Sequence, residues 1–490
     1  MTGGEASRRY HQLSKHDRER LLRLSFTDWS DEPRKVKEYP GAPAVELPAA
    51  PLPGVKLSDI VAGKSEARRE AVGPADIAAL LHYGYGATLK RSGFALRAAP
   101  SAGALYPAEL YLCCGDIEGG ELEAGVYSYN PETNAAVRIR DGDFRKAVAE
   151  ALGDGQPAAA YLLISAIPWR SAWKYGARAY RYCLLDSGHL AGNLLLAGSA
   201  LGLEPRLAAR LREEPLNELL GLDGEEEFVM AAVTVLPDPA ALTTAPPPPQ
   251  VAPRPAAPVS RRKGGHGGGR EDAVAAARRA ESRDGTPVAI APAVSAGERG
   301  LKLGDGELAA GELGKLILKR RSHREPARGT APAGALASFL RTATWSYPAD
   351  WLPDAWQANL LPELRVVVVD VKDVPKGLYR YEAGERRLLP IEISLNEGAL
   401  AAACMGQRFA ERANAVLAIG LDFNRLEDAD AYRVAGLDAG VVGQLAYLAA
   451  GSVGAGCCGV GAFFDDDLSS LLRLDADNCE ALYALTLAMR

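Results

Sequence analysis

Four stretches of the chain carry groups that could do chemistry, and none is complete alone. Arg320-Arg321-Ser322-His323-Arg324 gathers three guanidiniums and a hydroxyl within five residues. That set suits a phosphate followed by a hydroxyl-bearing chain, although a solvated basic helix end reads the same way. Pro100-Ser101-Ala102-Gly103-Ala104-Leu105-Tyr106-Pro107 has prolines at both ends and small residues between. Its main-chain N–H groups are left uncovered, so a planar ligand can lie against them. An ordinary turn entering the β-prone run Glu109–Cys114 has the same composition. Gly459-Val460-Gly461-Ala462-Phe463-Phe464-Asp465 can also turn backbone N–H groups toward a ligand. Lys174-Tyr175 is a candidate proton-handling pair, because either residue could accept a proton if burial or a nearby cation lowered its pKa. A surface Lys174 beside a Tyr175 packed at a helix start is the alternative. Asp186 and His189 resemble a dyad without a paired nucleophile, and they read as helix packing with local hydrogen bonds.

The frame that must position these groups is long. At 490 residues the chain exceeds one ordinary core, so two domains are expected. A net charge of −6 argues against nucleic acid as a partner. Met1-Thr2-Gly3-Gly4-Glu5 has no apolar signal region, and a cytoplasmic protein is the expectation. Seven cysteines without a C-x-x-C give neither a disulfide framework nor a zinc site, so no metal is expected. Between Ala439 and Phe464 the polar side chains are only Gln444 and Ser452. The seven glycines of that stretch nevertheless suit a helix and glycine loop better than a bilayer span.

Taken in order, residues 1–44 form a polar lead segment punctuated by aromatics, with one short helix, and residues 41–56 are proline-rich and extended. A first domain covers 45–237, with a helix over Pro74–Tyr83, a hairpin over Gly125–Ile139, a strand over Tyr161–Ile167 and a helix over Ala179–Ala200 stopped by Gly202. Pro246-Pro247-Pro248-Pro249 and the glycine run around His266 cannot build a core, so 238–308 reads as linker. A second domain covers 309–490, with a helix beginning near Glu312.

The second domain repeats the first. Ala179-Tyr180-Arg181, Leu185-Asp186 and Gly188 return as Ala431-Tyr432-Arg433, Leu437-Asp438 and Gly440, each 252 positions on. Gly125, Tyr127 and Tyr129 return as Gly377, Tyr379 and Tyr381, and Leu219-Leu220 with Leu222-Asp223 as Leu471-Leu472 with Leu474-Asp475, in the same 252 register. Such a duplication makes an internal pseudo-dimer, packed as an isologous pair and able to exist as a monomer.

The losses are complementary. Gly63-Lys64-Ser65-Glu66-Ala67 stands where the second half has its arginine cluster, and Leu207-Ala208-Ala209-Arg210 stands where it has Gly459-Val460-Gly461-Ala462. Conversely, the Pro-Ser-Ala-Gly loop has no second copy, and a tryptophan-rich segment from Trp345 to Trp356 falls there instead.

These residues, with the lead segment and the run Lys174 to His189, resemble the nitroreductase-like flavoproteins and, within them, the SagB/ThcOx branch of azoline dehydrogenases. The resemblance implies two tandem α+β domains, each a helix-flanked, mostly antiparallel sheet, binding FMN between them. It also implies that Arg320, Arg321, Ser322 and Arg324 hold the phosphate and ribityl chain. Pro100, Ser101, Ala102 and Gly103 would pack on the flavin ring from the other half, and Gly459, Gly461 and Ala462 would supply backbone contacts. Lys174 and Tyr175 would be the catalytic pair, and one composite site would remain beside a degenerate second one. The implied substrate is a modified peptide or small molecule. Two readings stay open beside it: a nitroreductase or flavin reductase drawing on NAD(P)H, and a non-catalytic scaffold that uses the lead segment and linker for docking.

Overall fold

A computed structural model describes residues 3–18, 29–64, 69–91, 94–237, 300–304, 311–350, 363–392, 396–426, 430–475 and 478–490. The linker expected over 238–308, Ser65 in the first half and the tryptophan-rich stretch beyond Asp350 lie mostly or wholly outside these residues. The linker's expected end is corrected, because Leu301–Lys302 already pairs in the second sheet.

Each half builds one seven-stranded path. In the first, the strands run in the spatial order Ala44–Glu46, Ala135–Asp141, Gly125–Asn130, Ala108–Cys114, Ala158–Ala166, Phe228–Pro237 and Arg206–Ala208. The second repeats it as Leu301–Lys302, Arg387–Glu392, Gly377–Glu382, Glu363–Val368, Ala415–Asp422, Cys479–Met489 and Ala455–Gly456. All the strand pairs described in these sheets are antiparallel. The chain is therefore two tandem α+β domains of one topology. The proline-rich segment is extended, and its Ala44–Glu46 becomes an edge strand. The tight Asn130–Asn134 turn places Asn134 at φ 55, which an asparagine tolerates.

Each sheet buries one face on its own small cluster, around Tyr111, Tyr161 and Val229 in the first half and around Val416, Phe463 and Ala484 in the second. The opposite faces share one large core through two 22-residue helices, Ala179–Ala200 and Ala431–Ser452. Both helices are apolar on nearly every side because both are enclosed. Ala431–Ser452 is long and apolar enough to cross a membrane, and 94% of its most apolar 18-residue stretch is buried inside the protein.

The two helices meet where neither has a side chain. A Cβ on Gly188 would lie 2.1 Å from the Leu437 carbonyl oxygen, and one on Gly440 would lie 2.3 Å from that of Leu185. Each glycine and its target carbonyl map onto the other pair by the 252 register, so this crossing lies on the pseudo-two-fold axis. Buried ion pairs obey the same symmetry. Arg181 meets Asp465 at 2.7 Å across the junction. Arg433 meets Glu213, the residue at the position equivalent to Asp465, at 3.9 Å.

The lead segment is committed to this junction. The helix Gly3–Leu13 inserts Tyr10 and His11, both buried, against Tyr180, Tyr432 and Phe423. The Ser14 carbonyl and hydroxyl accept from Arg178 and Arg181, and Lys15 pairs with Asp466 and Glu480. Residues 3–18 clasp the two halves of their own chain.

Candidate functional site

The groups singled out in the sequence converge on one seam between the halves. The loop after Ala99 takes a 3-10 turn at Ala102–Ala104, with Gly103, Ala104 and Tyr106 at φ 64, 53 and 51. Two non-glycine residues in the left-handed region are a local strain that only firm support maintains. The support is visible. Ser101 Oγ accepts the Tyr106 N–H at 2.8 Å, and Asp186 Oδ1 accepts the Ala102 N–H at 3.3 Å.

Helix Leu313–Lys319 of the second half delivers the arginine cluster to this loop. Arg320 is buried over the Tyr447 ring and donates to the carbonyls of Ala98 and Arg97, at 2.8 and 3.2 Å. Its guanidinium thus holds the start of the loop through Nε and Nη2. Arg321 is only partly buried and donates to the carbonyls of Leu318, Arg320 and Thr88, the last in the first half. Ser322 and Arg324 are exposed, and the Ser322 hydroxyl meets Tyr447 Oη at 2.9 Å.

The Gly459–Asp465 segment is not wholly loop. Gly459–Val460 pairs with the strand Cys479–Met489 before the chain turns away. Its glycines are needed because tyrosines press on them: a Cβ on Gly459 would lie 1.9 Å from Tyr483 Oη, and one on Gly461 would lie 2.7 Å from the Tyr182 ring. Gly461 O accepts from Arg178 and Tyr182, and Ala462 O accepts from Gln407.

Tyr175 joins these parts. Its ring meets Tyr182 edge-on at 4.9 Å, and its hydroxyl lies where a Cβ on Gly103 would come within 2.4 Å. Burial pushes its phenol well above the usual range, with Tyr182 and Asp186 adding to the rise and Arg324 opposing it. The expectation of a lowered tyrosine pKa is therefore corrected: Tyr175 is held as a protonated phenol. Lys174 Nζ sits 5.4 Å from both the Tyr175 and Trp29 ring centroids. His189 is tied into a buried hydrogen-bond network. It bonds Gln444 at 3.1 Å and Tyr483 at 3.0 Å, and burial lowers its pKa to about 3.

The pseudo-symmetric seam shows what such a backbone arrangement binds. There Pro348 O accepts the Leu207 N–H, and the Asp350 carboxylate accepts the N–H groups of Ala209 and Arg210 at 3.0 and 2.7 Å. These three residues occupy the positions equivalent to Gly459, Gly461 and Ala462. Tyr347 donates to Asp438, the equivalent of Asp186. A tail of the chain's own acceptors fills this seam. Among the described residues no carboxylate plays the part of Asp350 at Gly461 and Ala462. The Gly459 N–H donates instead to Tyr447 Oη at 2.8 Å. The N–H groups of Gly461 and Ala462, with Ser322, Arg321 and Arg324 alongside, fit a flat cofactor bearing acceptor atoms and a phosphate.

Residues 67–235 and 317–488 each match the Nitroreductase family. A nitroreductase-type protein of Methanocaldococcus jannaschii is 33% identical over 182 residues, covering 36% of this chain and 89% of that protein. The trifolitoxin-processing protein TfxB of Rhizobium leguminosarum bv. trifolii is 33% identical over 147 residues, 28% of this chain and 39% of TfxB. The microcin B17-processing protein McbC of Escherichia coli is 28% identical over 140 residues, 27% of this chain and 50% of McbC. The chain thus spans half or less of either processing protein. A solved nitroreductase-type structure from Anabaena variabilis has the same fold over 99% of both chains, at TM-score 0.77 and 24% identity. The chain belongs to the nitroreductase family, with the family's fold present twice, and is an oxidoreductase of that class.

Proposed function

We propose that the protein is an FMN-dependent dehydrogenase with one composite site per chain, acting on azoline rings in a modified peptide or a related small molecule. The observation that carries this reading is the unequal pair of seams, one filled by Pro348 and Asp350, the other lacking among the described residues any carboxylate at the Gly461 and Ala462 N–H groups, beside an arginine cluster. Arg321, Ser322 and Arg324 hold the phosphate and ribityl chain. Pro100, Ser101, Ala102 and Gly103 pack on the ring, and Gly459, Gly461 and Ala462 supply backbone contacts. Arg320 positions the loop from behind. When bound, FMN supplies the hydride-accepting centre. Lys174 and Tyr175 orient the substrate and handle the proton that leaves with its oxidation.

The likeness to two proteins that process trifolitoxin and microcin B17 supports a peptide-derived substrate. Anaerobic mixing of the flavin-loaded protein with a synthetic thiazoline peptide tests it. Bleaching of the flavin by the thiazoline is expected. Bleaching by NAD(P)H alone would favour a nitroreductase or flavin reductase, and a chain that takes up no flavin would leave only a scaffold.

A further inference from the structure

Tyr175 presents a chemical difficulty. A buried phenol whose pKa is raised is a poor base unless its own proton has somewhere to go. The group that could take it lies under the same loop. Asp186 is buried on the helix Ala179–Ala200, with Oδ1 accepting the Ala102 N–H at 3.3 Å, while Oδ2 is buried without a hydrogen-bond partner among the described residues. The Tyr175 hydroxyl presses on the next residue of the loop, Gly103. In the filled seam the equivalent carboxylate, Asp438, takes a tyrosine hydroxyl, that of Tyr347. The molecule thus already contains one copy of this carboxylate with a phenol bound to it.

We infer that Asp186 is the proton acceptor behind Tyr175. The two groups are not hydrogen-bonded in this structure. With the Tyr175 hydroxyl turned onto Asp186 Oδ2, a substrate proton forms a bond to the Tyr175 oxygen while the original Tyr175 O–H breaks and an O–H forms on Asp186 Oδ2. The phenol ends unchanged, the proton rests on the carboxyl, and the electron pair of the broken substrate bond stays with the substrate. The inference rests on the dehydrogenase reading above. Asp186 acts through Tyr175 and is a positioning residue by that measure.

The surroundings suit the task. Burial raises the Asp186 carboxyl to about 7, with Ser101 and the Ala102 N–H opposing the rise. The groups facing it are Tyr85 and Tyr106 of the first half, Tyr175 before the helix, Cys183 on the helix and Tyr483 of the second half. Arg324 acts on Tyr175 in the opposite sense, lowering its pKa. Only ionised Asp186 can accept, so proton removal becomes faster as pH rises through neutrality.

The test uses the full chain loaded with FMN, its flavin content measured first, and infrared spectroscopy of the protonated-carboxyl stretch across neutral pH. A band titrating near neutrality should be absent in Asp186→Asn and displaced in Tyr175→Phe, with flavin content kept in both. With the synthetic thiazoline peptide, Asp186→Asn should lower turnover on the order of 10²-fold and flatten its rise with pH, and Asp186→Glu should restore the rise. A carboxyl band unmoved by Tyr175→Phe in flavin-loaded protein would overturn the relay alone. Protein that holds no flavin would defeat the dehydrogenase reading beneath it.

Discussion

At Ala209 and Arg210 two backbone N–H groups end on the Asp350 carboxylate, whereas at Gly461 and Ala462, their equivalents, no carboxylate of the described chain arrives. The side chains around the two seams diverge in the same sense. Tyr447, Tyr483, His189 and Gln444 surround the open seam, and the residues 252 positions away are Leu195, Ala231, Val441 and Gly192. By contrast, the contacts that hold the halves together are repeated: the Gly188–Gly440 crossing and the arginine–carboxylate pairs on either side of it. The symmetric part of the molecule holds the halves together, and the asymmetric part is where the two seams differ.

That division predicts where paired substitutions differ and where they match. The largest effect is expected at Asp465, which among the described residues is the carboxylate that neutralises both Arg178 and Arg181 in a buried setting, at 2.7 Å each. Asp465→Ala should cost about 3–5 kcal/mol, because it leaves two buried cations without their carboxylate. Glu213→Ala should cost clearly less, since Asp430 still meets Arg433 at 2.9 Å. Urea midpoints compare the two directly, and equal losses would break the assignment.

Gly188→Ala and Gly440→Ala come next, each expected to destabilise by about 1–3 kcal/mol through overpacking. The two values should agree, because each new methyl meets the other helix's carbonyl. A large disparity would deny the pseudo-two-fold at the crossing.

Asp350→Ala should cost on the order of 1 kcal/mol by leaving backbone donors unmatched, with Asp350→Asn milder. Burial raises the Asp350 carboxyl from 3.8 to about 6, against the pull of the two N–H groups and of Arg206 and Arg210. The folded state therefore binds this proton more tightly than the unfolded one, and its contribution to stability falls as pH rises from about 4 to 6. Urea midpoints taken across that range should lose this component in Asp350→Asn.

Much of this was legible in the sequence. The 252 register revealed the duplication, because Ala-Tyr-Arg, Leu-Asp and Gly recur at fixed spacing in helices that must bury every face. The complementary losses at Gly459–Ala462 and at the arginine cluster pointed to one composite seam. Other features needed the fold. Arg320 reads like its neighbours until its guanidinium is seen on the Ala98 and Arg97 carbonyls. Nothing in Ser346-Tyr347-Pro348-Ala349-Asp350 announces a chain that fills a seam, because its partners Leu207–Arg210 lie far away in sequence. In sequence Asp186 reads as helix packing, and an oxygen without a hydrogen-bond partner among the described residues, beneath a strained loop, sets it apart. The direction of the Tyr175 shift likewise depends on enclosure that no local pattern encodes.

The most direct measurement is the amount of FMN released per chain on denaturation, for the native protein and for Arg321→Ala and Lys64→Ala. The account predicts one FMN per chain, lost with Arg321→Ala and kept with Lys64→Ala. Two FMN per chain, or equal losses in both variants, would contradict a single composite site.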